Sequence, residues 1–167
     1  METAISSRLN KIMIIIVFGL AASGKTYVGK ILNKYFDFHH EDADHWLSMD
    51  MKQYIIEKKL FTLDMLESFT SNIIVNIELL REKHKNIVIT QALYRSKNRK
   101  AIQEYFTSKD EIIFLQVDAA DDIIYQRLIN RKDWVFPEYA VSMRQFFEPM
   151  DNVNILQNNQ EGEATIL

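Results

Sequence analysis

The residues best suited to chemistry lie in one octapeptide, Gly19-Leu-Ala-Ala-Ser-Gly-Lys-Thr26, which has the spacing G-x-x-x-x-G-K-[ST]. Two glycines let the backbone adopt conformations closed to other residues, so that successive N–H groups can surround phosphate oxygens. The lysine of this pattern places a cation on the β- and γ-phosphates, and the hydroxyl of the last residue ligates Mg²⁺. The spacing therefore predicts a site for ATP and Mg²⁺, with Lys25 as a catalytic residue and Thr26 as a metal ligand. The predicted nucleotide-binding residues are Gly19, Leu20, Ala21, Ala22, Ser23, Gly24, Lys25 and Thr26.

Two carboxylates, Asp42 and Asp44, follow Lys25 by 17 and 19 residues. The chain should leave the second strand of a sheet there, beside the phosphate loop. One carboxylate can order Mg²⁺ through water, and the other can orient or deprotonate an acceptor hydroxyl in line with the γ-phosphoryl group. We expect Asp42 to serve the metal and Asp44 to contact the acceptor as its base, and the alternative is a solvated acidic turn.

Three histidines surround these carboxylates: His39, His40 and His45. Imidazole suits zinc or iron, but oxygen ligands beside a phosphate loop favour Mg²⁺, and no second motif completes a transition-metal ligand set. We therefore expect histidines here to contact substrate or solvent, and we assign His45 to the acceptor site.

Apolar periodicity predicts the elements that position these groups. The apolar run 12–18 is typical of a strand buried on both faces of a parallel sheet, and residues 28, 31, 32 and 35 follow it with helical spacing. Further strands are predicted at 87–90, 112–117 and 153–156, and helices at about 64–85, 97–106, 120–131 and 138–147. This alternation predicts an α/β fold in three layers, with a mainly parallel, five-stranded sheet between helices. We expect an extension at 1–11, one domain at 12–157 and a flexible tail at 158–167.

Composition narrows the classes of function. The net charge is −3 and the basic residues are scattered, which speaks against binding of nucleic acid, and the lack of cysteine excludes disulfides and thiolate nucleophiles. Residues 11–23 resemble a signal peptide, but they also supply a strand and the phosphate loop, and no apolar run reaches the length of a membrane span. We therefore expect a cytoplasmic monomer or homodimer without a membrane partner.

A regulatory GTPase is a poorer interpretation. The tetrapeptide Asn130-Arg-Lys-Asp133 is only superficially like the guanine-reading N-K-x-D element, since it continues a helical pattern. The chain has four glycines, at 19, 24, 29 and 162, so it contains no D-x-x-G switch. An ATP-binding module without catalysis stays open as an alternative.

The phosphate loop and the D-x-D at 42–44 together resemble the small P-loop kinases of the gluconate kinase and shikimate kinase group. The similarity to gluconate kinases extends to Thr90-Gln-Ala-Leu93, to the R-L-x-x-R pattern that ends at Arg131, and to Gln145-Phe-Phe-Glu-Pro149. The resemblance implies a P-loop NTPase fold, a small helical lid at about 131–139, and ATP-dependent phosphorylation of a small sugar acid or related polyhydroxy metabolite.

Two arginines are assigned with the help of this pattern, and two more from their position just past the third predicted strand. Arg131, with Arg127 one helical turn earlier, would bind the nucleotide and neutralise charge on the transferring phosphoryl group, and Arg131 would be catalytic. Arg95 and Arg99 could bind an acceptor carboxylate. The stretch 60–69 lacks an arginine that gluconate kinases carry, and the glycine pair of shikimate kinases is absent. A nucleoside or nucleotide kinase, or a degenerate ATP-binding homologue, is therefore the alternative function.

Overall fold

The computed structural model describes residues 11–131 and 136–159, which build one parallel sheet flanked by helices. The five strands have the spatial order β2-β3-β1-β4-β5, and each neighbouring pair is parallel. The predicted α/β class and five-stranded sheet are thus confirmed, and the sheet is parallel throughout. The strands are β1 (Met13–Phe18), β2 (His39–Asp42), β3 (Asn86–Thr90), β4 (Glu111–Asp118) and β5 (Asn154–Gln157).

Helices fill the connections between the strands. They are α1 (Lys25–Phe36), α2 (Met49–Ile56), α3 (Leu63–Arg81), α4 (Ser96–Thr107), α5 (Asp121–Asn130) and α6 (Pro137–Met143), with 3-10 turns at Ala43–Trp46 and Arg144–Phe146. Helix α2 was not predicted. It starts at Ser48, whose side chain accepts a hydrogen bond from Met51 N, and α3 starts in the same way at Thr62. The C-terminal helical stretch is also shorter than predicted and ends in a 3-10 turn.

Strand β1 is the centre of the core because alternate side chains face opposite layers. Ile14, Ile16 and Phe18 pack in one apolar cluster with residues of α3 and α4, whereas Val17 packs in a second cluster with Val28 of α1. All five of these side chains are almost completely buried. Helices therefore cover both faces of the sheet, which gives the predicted three layers.

The strand register brings four chain exits to one edge of the sheet. Val17 pairs with Thr90, Thr90 pairs with Asp42, and Phe18 pairs with Gln116. The loops after β1, β2, β3 and β4 consequently leave the sheet side by side. In open parallel sheets, ligands bind at this carboxyl edge.

A close contact fixes α1 against β2. A Cβ atom at Gly29 would lie 2.4 Å from His40 Nε2, so a larger residue would collide with the ring. The same nitrogen is 3.1 Å from Thr90 Oγ1, which holds the imidazole between the helix and β3. His40 therefore packs in the fold and is not presented to a ligand.

The predicted tail boundary is wrong at Asn158. This side chain is buried, and its backbone N–H donates a 2.7 Å hydrogen bond to Asp118 O. Residues 160–167, residues 1–10 and residues 132–135 of the predicted lid lie outside the described chain, so the extension, the rest of the tail and lid closure stay predictions. Within the described ranges, no helix combines the length and the apolarity needed to cross a membrane.

Candidate active site

The predicted phosphate loop connects β1 to α1, and its glycines adopt the required backbone conformations. Gly19 has φ 145° and Gly24 has φ 103°, both in a region that disfavours side chains. A Cβ atom at Gly19 would lie 2.2 Å from Val117 O, so only glycine lets the loop pass this close to β4. Gly19 N also donates a 3.4 Å hydrogen bond to Ala92 O, which ties the loop to the chain after β3.

Two distant side chains brace the loop from its other side. Arg127 Nη1 donates to Ser23 O at 3.3 Å, and Arg127 Nη2 donates to Asn158 O at 3.0 Å. Asn158 Nδ2 donates a further 3.0 Å hydrogen bond to Ser23 O, and a Cβ atom at Gly24 would lie 1.9 Å from that nitrogen. Arg127 thus contacts the predicted nucleotide site mainly through loop carbonyls, and Asn158 forms part of its wall.

Lys25 points back onto the loop that precedes it. Its Nζ donates a 2.7 Å hydrogen bond to Leu20 O. Burial lowers the pKa of Lys25 to about 8, although the negative charges of Asp44 and Asp42 oppose this shift. An anion bound in the loop would favour the charged form of the lysine.

The predicted metal ligands lie together at the start of α1. Thr26 Oγ1 donates a 2.9 Å hydrogen bond to Asp42 Oδ2, and Asp42 Oδ1 accepts a 3.1 Å bond from Asp44 N. A hydroxyl and a carboxylate oxygen beside a phosphate loop are ligands that Mg²⁺ prefers. The residues therefore fit the ion. The described residues contain no group of three or more His, Cys, Asp or Glu side chains that could hold another metal.

Asp44 lies opposite the phosphate loop, on the 3-10 turn that follows β2. Asp44 is solvent-exposed where it borders the cavity, and Oδ1 accepts a 2.8 Å hydrogen bond from Gln91 Nε2. Desolvation raises the pKa of Asp44 above its ordinary value, and the charge of Asp42 adds to this effect. The Gln91 hydrogen bond and the cations Lys25 and Arg131 act in the opposite direction. Such an environment suits a general base.

Arg131 ends α5 and lines the same cavity. Its positive charge lowers the pKa of both Lys25 and Asp44, so its side chain lies within electrostatic reach of the two predicted catalytic groups. The structure therefore brings Lys25, Asp44 and Arg131 to one place.

Of the other three residues predicted to contact the acceptor, only one lines the cavity. Arg95 lines the cavity, where it forms a 3.1 Å ion pair with Glu148. Arg99 is 1% exposed, and its guanidinium donates to the carbonyls of Leu93, Tyr94, Glu148 and Pro149. Its assignment to the acceptor is therefore wrong, because its donors hold the loop after β3 to the chain after the second 3-10 turn. His45 is exposed and is not among the residues that line the cavity.

Lys25, Asp44, Arg95 and Arg131 border one cavity of about 600 Å³. At one end lie the phosphate loop, Asp42, Asp44 and the two arginines of α5 and its cap. The walls of the other end come from α2, the chain between α2 and α3, α3 itself, the loop after β3 and α6. The volume is within the usual range for small-molecule sites.

Two residues of the site were not assigned from the sequence. Gln91 and Asn158 each follow directly on the carboxyl end of a parallel strand, β3 and β5. Polar side chains at strand ends are a usable signal, since that edge binds ligands. The strand predicted at 87–90 ends one residue before Gln91, so this residue could have been assigned to the site from the sequence.

No model of a known protein family matches the sequence, and no curated protein matches it. Solved structures do match. A sugar kinase from Janibacter sp. HTCC2649 has a TM-score of 0.77 at 15% identity over 93% of this chain and 90% of its own. A gluconokinase from Sinorhizobium meliloti 1021 has a TM-score of 0.74 at 14% identity, with 88% and 83% covered. The APS kinase of Mycobacterium tuberculosis, solved with AMPPNP and APS, has a TM-score of 0.65 at 11% identity, with 90% and 91% covered. The chain therefore has the fold of P-loop kinases.

Proposed function

We propose that this protein is an ATP-dependent phosphotransferase that moves the γ-phosphoryl group of Mg-ATP to a hydroxyl group of a small molecule. One observation carries the proposal: the hydrogen-bonded carboxylate of Asp44 faces the same cavity as Lys25 and the Thr26–Asp42 pair. A protein that only bound ATP would have no need of a second carboxylate held by a hydrogen bond beside the phosphate loop. The fold shared with three structures named as kinases supports this reading.

The residues divide the work between binding and proton transfer. Loop amides and Lys25 would hold the phosphates, and Thr26 with Asp42 would hold Mg²⁺, which neutralises phosphate charge when it is bound with ATP. The carboxylate of Asp44 would accept the proton of the acceptor hydroxyl as that oxygen bonds to the γ-phosphorus. The bond from phosphorus to the bridging oxygen breaks at the same time, and ADP leaves with the electron pair.

Arg131 would meet the charge that develops on the phosphoryl oxygens, because it lies within electrostatic reach of Lys25 and Asp44. A lid at about 131–139 that excludes water would limit wasteful hydrolysis of ATP. The roles of Arg131 and of the lid are predictions. We also predict that the protein acts in the cytoplasm, as a monomer or homodimer, without nucleic acid or membrane partners.

The acceptor is the open part of the proposal. The resemblance to gluconate kinases implies a sugar acid, and Arg95 is the cavity cation at the acceptor end that could meet its carboxylate. The same fold occurs in an APS kinase solved with AMPPNP and APS, and one fold can serve many acceptors, so a nucleoside or nucleotide acceptor is the second candidate.

An ADP-release assay with wild type and Asp44→Asn tests the proposal, with Mg-ATP and a panel of sugar acids, polyols, other alcohols, nucleosides and nucleoside monophosphates. We expect one class to raise ADP release above hydrolysis, and Asp44→Asn to lose roughly 10² to 10⁴ of that rate while it still binds ATP. Asp50→Asn, at an exposed position on α2, is the control. Wild-type turnover in Asp44→Asn would remove its role as base, and no turnover with any acceptor would favour a passive ATP-binding protein.

A further inference from the structure

The acceptor end of the cavity is lined mainly by apolar side chains. Three helices, α2, α3 and α6, contribute together with the chain on either side of α2, so the surface is built by the fold and not by one loop. Among them are Leu47, Ile55, Leu60, Phe61, Phe69 and Met143. A sugar acid exposes hydroxyl groups on almost every carbon atom, and this wall would remove them from water without a replacement for their hydrogen bonds.

The polar side chains on this wall already bond within the protein. Asn98 Nδ2 donates to Thr70 Oγ1 at 2.6 Å, and Thr70 Oγ1 donates to Leu66 O at 2.7 Å. Tyr139 OH donates to Lys59 O at 3.3 Å, and Tyr94 hydrogen-bonds the backbone of Ala21. These internal bonds use donors of the wall, so fewer donors are left for the many hydroxyl groups of a polyhydroxylated acceptor.

The positive charge at this end of the cavity is already paired with a carboxylate of the protein. Of the cations among the described lining residues, Lys25, Arg127 and Arg131 lie at the phosphate end, which leaves Arg95. Arg95 is paired with Glu148 and lies 5.5 Å from the ring centroid of Phe146. An acceptor carboxylate would therefore meet a guanidinium whose charge Glu148 already partly neutralises.

We propose that the acceptor is an uncharged alcohol with an apolar, ring-sized body, whose hydroxyl group reaches Asp44 while the body packs on this wall. The inference rests on the proposed phosphotransferase and names its substrate class. It replaces the sugar acid as the expected acceptor, because burial of apolar surface is the main interaction that the wall offers.

Binding is tested first, with 2-naphthalenemethanol as the probe and its own fluorescence as the signal, on the full chain. Leu60→Gln changes a cavity residue that is 51% exposed, and Leu79→Gln changes a 55% exposed residue of α3 that is not among the cavity lining. We expect saturable binding to wild type and Leu79→Gln, and roughly fivefold weaker binding to Leu60→Gln. Absence of saturable binding, or equal effects of the two substitutions, would overturn the apolar site.

Turnover then separates this inference from the proposed function. ADP release is measured with benzyl alcohol, 2-naphthalenemethanol and gluconate at equal concentrations. A higher kcat/KM for the aryl alcohols supports the inference. A higher kcat/KM for gluconate overturns it and leaves the phosphotransferase intact. Binding of 2-naphthalenemethanol that Leu60→Gln weakens, without ADP release from any alcohol, overturns the phosphotransferase and supports an apolar ligand site.

Discussion

Gln91 Nε2 donates a 2.8 Å hydrogen bond to Asp44 Oδ1, while Oε1 of the same amide accepts one from Ala92 N. The bond from the backbone fixes which end of the amide faces Asp44, so Gln91 presents a donor and not an acceptor. The carboxylate is thereby held in orientation, and its charged form is favoured. Gln91 is therefore a positioning residue for the proposed base.

Replacement of Gln91 by Leu should raise the pKa of Asp44 further, because the hydrogen bond that opposes desolvation is lost. A base acts only when it is deprotonated, so the acidic limb of the kcat–pH profile should move to higher pH, and kcat at neutral pH should fall roughly tenfold. The measurement is a kcat–pH profile with the best acceptor found. Gln126→Leu, on the exposed face of α5, is the control. A lowered kcat with an unmoved profile would mean that Gln91 is only structural.

The affinity for ATP should depend on pH through Lys25. Phosphate favours the charged lysine, so the pKa of Lys25 in the complex lies above its value of about 8 in the unbound protein. Binding must then take up a proton above pH 8, and affinity should fall about tenfold between pH 7 and pH 9.

Calorimetry of Mg-ATP binding in buffers of different ionisation enthalpy measures this uptake directly. Lys25→Arg is the matched control, since a guanidinium stays charged throughout the range and should show no uptake. The same proton uptake in Lys25→Arg would assign the effect to another group.

Arg127 and Arg131 should differ in what they affect. Arg127 braces loop carbonyls, so Arg127→Ala should weaken ATP binding and lower stability. Arg131→Ala should reduce kcat more than it raises KM for ATP, because the charge that it meets develops during transfer. Arg131→Lys should recover only part of the loss. Steady-state kinetics measure kcat and KM for ATP in each variant. If both change by less than about twofold in Arg131→Ala, which is roughly 0.5 kcal/mol, Arg131 has no catalytic role.

Arg99 should matter for stability. Arg99→Met would leave four carbonyl groups without their donor, at a cost of about 3 kcal/mol in the free energy of unfolding. Arg95→Met removes a half-exposed ion pair and should cost under about 1 kcal/mol. Urea unfolding of both variants checks the difference. If Arg99→Met unfolds like wild type but loses affinity for the acceptor, Arg99 binds the acceptor after all.

The sequence predicted the features that depend on local pattern. The loop at 19–26, the central strand at 12–18 and the helix that starts at Lys25 follow from spacing and periodicity, and the structure has them there. The short helix α2 could not be predicted, because only two of its residues, Met51 and Ile55, are buried, and two apolar positions do not define a helical period.

The misassigned residues depend on contacts between distant parts of the chain. Arg99 lies one helical turn before the buried Ile102, but only the fold shows that its guanidinium bonds to the carbonyl of Glu148. Asn158 stands in a polar segment that predicts fraying, yet it bonds to Ser23. No spacing rule contains such pairs, because they are set by how the strands are ordered in the sheet.

The bond between Asn158 and Ser23 joins residues 135 positions apart, and it has a consequence for biosynthesis. The phosphate loop is synthesised before its walls, because β1 lies between β3 and β4 and the walls come from Ala92, Val117 and Asn158. A nascent chain therefore carries the motif without the complete pocket until residue 158 has been added. Nucleotide can stabilise the folded domain by binding only after that point.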